Sequence, residues 1–170
     1  MKNHFFIVPL VSLMISCSSG NEKDIQTDST TNRPAYDLTK TDPNAKVVEL
    51  TIVAQGEDMS KMSFDMKSMK VSAGTTIRLT IKSTSPDASM PHNWVLVHKG
   101  TMEQVAMAGL QAGRELAFVP KSPDVLVHSK LLGPGEEQIL TFSAPPPGEY
   151  EYVCTYPGHW SIMNGVLTVE

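Results

Sequence analysis

The chain has 170 residues, 14 basic against 18 acidic side chains, a net charge of −4 and two cysteines, Cys17 and Cys154. That length suits one ordinary domain, and a hydrophobic fraction of 41% is enough to build a core. With no basic excess to neutralise phosphates, nucleic acid is excluded as the expected partner. Two cysteines likewise exclude a four-cysteine zinc site, a disulfide-rich scaffold and an iron–sulfur cluster held by four thiolates of one chain.

Residues 1–16 read as an export signal: Lys2 precedes an apolar run from Phe5 to Ile15 that is too short to span a bilayer as a mature helix. The following Leu13-Met14-Ile15-Ser16-Cys17 resembles a bacterial lipobox, with Met14 where leucine is usual, and predicts cleavage before a lipid-modified Cys17. An ordinary secretory signal is the alternative. Residues 17–45 are polar and carry no apolar period, the composition of a flexible tether. The folded domain is expected over 46–170. It is expected to be exported and lipid-anchored to a bacterial membrane, facing the periplasm or the cell exterior.

Within the domain, 47–53 is a β-rich run that closes at Gly56. Segments 69–71 and 76–81, joined by Ser72-Ala73-Gly74, read as a hairpin with alternation at Ile77, Leu79 and Ile81. Further strands are expected over 93–97, 138–142, 149–154 and 165–169, separated by glycine and proline turns. Helix formers cluster only over 101–119, where Met102, Val105, Ala106, Gly109 and Leu110 recur at helical spacing. The reading is an all-β sandwich with one short helical insertion near residues 101–113.

Two segments carry chemistry. One runs from Cys154 through Thr155, Tyr156, Pro157, Gly158, His159 and Trp160 to Met163; the other is Met90-Pro91-His92-Asn93-Trp94. One thiolate, two imidazoles and a thioether form the ligand set of an electron-transfer copper site. Thiolate and thioether suit Cu(I), while imidazole also suits Cu(II), so both oxidation states are held with little rearrangement. A Pro157-Gly158 turn lets Cys154 and His159 converge from one loop, and His92 arrives from a neighbouring strand.

Cys-x4-His-x3-Met with an upstream His-Asn-Trp-Val-Leu resembles azurin, a type 1 (blue) copper protein of the cupredoxin fold, a Greek-key β-sandwich. The segment Val127-His128-Ser129-Lys130-Leu131-Leu132-Gly133 is similar too, and the resemblance covers roughly 47–169. It implies one type 1 copper bound by His92, Cys154 and His159 with Met163 as a weak axial donor. Asn93 and Thr155 would brace the ligand loops, and His159 would be the exit edge, with Met90, Pro91 and Trp160 around it as a surface for docking partners. Pro91 stands where azurin usually has glycine, whose carbonyl makes a second axial contact. Azurin's disulfide has no counterpart, since the other cysteine is Cys17.

The implied function is a membrane-tethered carrier cycling Cu(II)/Cu(I) between redox proteins such as cytochromes, not an enzyme and without a small-molecule substrate. The alternative is a lipoprotein that carries or stores copper and transfers the metal itself; a zinc ion in the same ligands is a third reading. Met59, Met62, Met66 and Met69 are either a Cu(I)-binding cluster or adaptable core filler. Trp94 is expected in the core, and His98 and His128 are expected in solvent.

Overall fold

The computed structural model describes residues 36–170. The export signal, the lipobox and Cys17 lie outside the described residues.

Among the described residues, nine strands form two sheets. One contains β1 (Val47–Gln55), β2 (Ser63–Phe64), β4 (Thr76–Ser83) and β7 (Glu137–Ser143), in the order β2-β1-β4-β7. The other contains β3 (Ser68–Val71), β5 (Val95–His98), β6 (Val125–His128), β8 (Gly148–Val153) and β9 (Asn164–Val169), in the order β3-β9-β8-β5-β6. The two-sheet sandwich and its single α-helix, α1 (Met102–Ala112), match the architecture expected from the sequence.

Alternation produces the sandwich. Ile52 and Ala54 of β1, Ile77, Leu79 and Ile81 of β4 and Phe142 of β7 point inward from one sheet. They meet Met69, Val71, Leu96, Tyr152 and Leu167 of the other sheet, with Trp94 fully buried between them. Each such side chain contributes about 1.5–3 kcal/mol by leaving water. β5 is buried on both faces. Leu96 enters the sandwich core, while Val95 and Val97 join Val105 of α1, Val119 and Val153 in a second cluster. The helix therefore covers the outer face of this sheet, consistent with burial of Val105, Ala106 and Gly109.

Two expectations change. The runs 69–71 and 76–81 do not form a hairpin: β3 pairs parallel with β9, and β4 pairs parallel with β1 and antiparallel with β7. Alternation reports which face of a strand is buried, and both strands bury a face in the same core from opposite sheets. The folded domain also begins earlier than 46. Leu38 is 5% exposed and belongs to the main core, its carbonyl accepts from the Ser143 amide at 2.8 Å, and the Lys40 carbonyl accepts from Ser143 Oγ at 2.8 Å. Leu38, with Tyr36 packed against the same core, docks this polar segment where the edge of β7 offers it backbone partners.

The methionine cluster divides the same way. Met62 and Met69 are core residues, Met66 packs against the core, and Met59 is exposed. This is the behaviour of core filler. Among the described residues no helix is long and apolar enough to cross a membrane.

Candidate metal centre

The site is assembled where strands of the second sheet end. His92 lies just before β5, and its backbone is clamped by two bonds to Leu132: His92 N donates to Leu132 O at 3.0 Å and Leu132 N to His92 O at 2.7 Å. Cys154 follows β8 directly, and its amide donates to the Met163 carbonyl at 2.9 Å, closing the loop between β8 and β9 at its base. Inside that loop the amides of Ile162 and Met163 both donate to the His159 carbonyl, at 3.1 and 2.9 Å. Gly158, with φ +83°, supplies the left-handed turn that returns His159 toward Cys154.

His92 Nδ1 and His159 Nδ1 stand 3.2 Å apart, and Cys154 Sγ lies 3.6 Å from His159 Nδ1. All three residues are buried, with their ligand atoms within 4.8 Å of one another. The outer Nε2 atoms of both imidazoles are buried without a hydrogen-bond partner among the described residues. Two imidazole nitrogens and a sulfur aimed at one point, with no carboxylate in the group, fit a copper ion held by soft and borderline donors. Met163 is fully buried in the same loop, and Pro91 is buried beside His92.

Asn93 and Thr155 are hydrogen-bonded to each other. Asn93 Oδ1 accepts from the Thr155 amide at 2.8 Å, while Asn93 Nδ2 donates to Thr155 Oγ1 at 2.8 Å and to the Ala117 carbonyl at 2.7 Å. The last partner was not legible in the sequence. Ala117 and Phe118 both adopt left-handed backbone (φ 54° and 56°), which costs non-glycine residues about 1–2 kcal/mol each. The turn is held because the Phe118 carbonyl lies against Gly109 of α1, where any Cβ would overlap it. Its ring also packs edge-on to Tyr156, 5.2 Å between centroids.

Tyr156 is another residue that sequence reasoning passed over, although it sits inside the ligand motif. Its hydroxyl donates to the Ser89 carbonyl at 2.8 Å, tying the two ligand loops together, and its ring centroid is 4.7 Å from that of His159. His159 itself is 0% exposed, and the Met59 methyl group lies against the neighbouring Gly158. The expected open edge of His159 is therefore closed, and the surface above it belongs to its neighbours. Trp160 and Met90 are half-buried, Trp160 packing against the valine cluster beside α1. Trp94 stacks on Tyr152 in the core. His98 is buried beside Tyr36 and Tyr150, contrary to expectation, while His128 is exposed as expected.

Burial sets the protonation states. It lowers His92 to about 4, and burial together with the neighbouring His92 lowers His159 to about 4, so both imidazoles are neutral at pH 7. Burial pushes the Cys154 thiol up to about 12, with the backbone amides of Asn93 and Tyr156 pulling the other way. An unfolded chain takes up protons on these histidines below their ordinary 6.5, which the native state resists until about 4. The unfolded thiol ionises above its ordinary 9.0, long before the native one. Metal-free protein is thus expected to be most stable between about pH 6.5 and 9 and to lose stability toward pH 4 and again toward pH 12. Denaturant midpoints measured across that range check this, and a level midpoint between pH 6.5 and 4 contradicts it.

The chain matches the family of copper-binding proteins described as plastocyanin/azurin over residues 50–170. It is 38% identical to auracyanin-A of Chloroflexus aurantiacus over 126 residues, 72% of this chain and 75% of that protein. It is 37% identical to outer membrane protein H.8 of Neisseria meningitidis serogroup B, covering 66% of this chain and 64% of that protein. Among solved structures it resembles auracyanin A, a "blue" copper protein from C. aurantiacus, with TM-score 0.65 and 36% identity across 73% of this chain and 99% of the other. With the donor set and sandwich described above, these matches place the chain in the plastocyanin/azurin family of copper-binding proteins, as a blue copper electron carrier with one type 1 site.

Proposed function

We propose that this protein is a lipid-anchored electron carrier, exported and held at a bacterial membrane through Cys17, that exchanges single electrons with redox proteins such as cytochromes. The observation that carries the electron-transfer reading is the buried convergence of His92 Nδ1, His159 Nδ1 and Cys154 Sγ. These three would hold copper, with Met163 as a weak axial donor and the Pro91 carbonyl as a further contact. Bound copper would supply a one-electron Cu(II)/Cu(I) couple.

The chain's own residues keep the donors in one arrangement. Leu132 fixes the backbone of His92, Asn93 ties it to Thr155, and the His159 carbonyl gathers the amides of Ile162 and Met163. Donors that do not move between oxidation states cost little reorganisation. His159 is fully buried with the Tyr156 ring against it, so electrons would leave through this cover. Exposed Ile162, together with half-buried Met90 and Trp160, offers partners an apolar surface near the ligand loop. Burial of all three donors weighs against a carrier that hands over the metal, since handover needs an accessible ligand.

Membrane attachment is supported by the lipobox-like sequence and by the similarity to an outer membrane protein, H.8. The segment between Cys17 and the docked Leu38 would serve as the tether.

Adding Cu(II) to purified apoprotein is expected to produce an intense visible thiolate-to-copper band, and mixing with a reduced cytochrome to bleach it. Folded protein without the band removes type 1 copper. Loss of copper to a weak chelator, with no electron exchange, favours metal transfer instead. Cys17→Ala is expected to move the protein from the membrane to the soluble exported fraction.

A further inference from the structure

Lys67 makes a contact that neither the ligand motif nor its braces account for. Its ammonium donates to the Ile162 carbonyl at 2.8 Å and to the Asn164 carbonyl at 3.3 Å, bracketing Met163 from both sides. The two partners lie 95 and 97 residues away in the chain. Topology explains the meeting. β3 and β9 are parallel with Ser68 opposite Val166, so both strands begin at the same end of the sheet. That end carries the ligand loop. The Lys67 carbonyl accepts from the Val166 amide at 3.0 Å, and the neighbouring Met66 carbonyl accepts from Tyr152 Oη at 2.7 Å, so the base of the lysine is anchored. Among the described residues, Lys67 forms no ion pair with a carboxylate.

The opposite side of the loop is already tied down. Met163 N donates to the His159 carbonyl and Met163 O accepts from Cys154 N. The two carbonyls that flank Met163 are the ones Lys67 takes. A charge-assisted donor to two carbonyls is stronger than a neutral one and directional enough to fix their peptide planes.

We propose that Lys67 is a positioning residue for the axial side of the copper centre, holding Met163 in register and placing a positive charge behind it. This rests on the reading of Met163 as the axial donor. The charge disfavours Cu(II) relative to Cu(I) and so raises the reduction potential. The clamp would limit how far the Met163 side chain can shift when it serves as the axial donor.

Lys67→Met keeps the apolar stem and removes the ammonium, Lys67→Arg keeps charge and donors, and Met163→Leu tests the underlying reading at conserved volume. Lys67 is itself exposed, so part of its charge effect is screened: copper-loaded Lys67→Met is expected to show a lower reduction potential, diminished but not lost at about 1 M salt, and a changed ratio of its visible bands that salt leaves unaltered. Its apoprotein is expected to exchange the Ile162 and Met163 amides roughly tenfold faster, as local opening becomes easier. Lys67→Arg should stay close to the parent in all three. Parent-like potential and bands in Lys67→Met overturn the inference, as does a shift that vanishes in high salt, which marks a screened surface charge. If Met163→Leu itself leaves potential and bands unchanged, the axial reading fails and takes the inference with it.

Discussion

Replacing Cys154 with serine will abolish the intense visible band and weaken Cu(I) binding more than any other single change in the chain. Serine has nearly the same shape, but its hydroxyl stays protonated at neutral pH and gives copper neither a soft donor nor an anionic charge. Cys154 is fully buried, so the serine hydroxyl must find its bonds among the His159 imidazole and the Asn93 and Tyr156 amides, at a cost of at most about 1–3 kcal/mol. The fold is expected to survive that cost. The affinity loss should exceed the ~10–100-fold that follows loss of a residue bracing a ligand.

A second readout separates loss of the ligand from general damage. In the parent, both imidazoles are already neutral above about pH 4, while the thiol holds its proton to about 12. Copper must therefore displace one proton, and apparent affinity should rise roughly tenfold per pH unit between those limits. In Cys154→Ser that slope should fall to near zero. Competition titrations against a chelator of known pH behaviour, at pH 6, 7 and 8 on the order of these limits, give both slopes. A variant that retains the band or the slope places the sulfur outside the site.

Asn93→Ala should be the most destabilising change outside the ligands. The side chain is completely buried and satisfies three groups at once: the Thr155 amide, the Thr155 hydroxyl and the Ala117 carbonyl. Truncation leaves the buried Thr155 amide without a partner, at about 1–3 kcal/mol, and releases the strained Ala117–Phe118 turn from its anchor. A loss of about 2–4 kcal/mol is expected, a large share of the ~5–15 kcal/mol that ordinarily holds a domain folded. It should appear as a lower denaturant midpoint with an unchanged m-value. Copper affinity should fall about 10–100-fold, because Asn93 joins the strand carrying His92 to the loop carrying Cys154. Thr155→Val, which spares the amide but removes the hydroxyl, should combine with Asn93→Ala less than additively. Full additivity, or a midpoint unmoved by Asn93→Ala, shows the three bonds to be incidental.

These expectations also bear on the choice between carrying electrons and carrying copper. A site whose donors are buried, neutral until metal arrives and cross-tied by Asn93, Leu132 and Tyr156 is built to keep its ion. Electrons tunnel through a closed cover; a metal ion must open it.

The sequence by itself determined the donor set and the inward faces of the strands. Three of the proposed ligands, Cys154, His159 and Met163, lie within ten residues of one another, and the glycine between them carries the positive φ their turn needs. Local spacing is enough there because the loop is short and closes on itself through backbone bonds. Alternation likewise reported burial correctly at Ile77, Leu79, Ile81 and Phe142, since β4 and β7 each turn one face to the core and the other to water. Tertiary structure alone decided partnership. Segments 69–71 and 76–81 look like a hairpin locally, yet each gains more from a parallel neighbour in a separate sheet. The same long-range pairing docks Leu38 on β7, ties Tyr156 to Ser89 and sets Lys67 beside Met163. A periodic pattern states which side of a strand avoids water; which strand lies next to it depends on the packing of all the others.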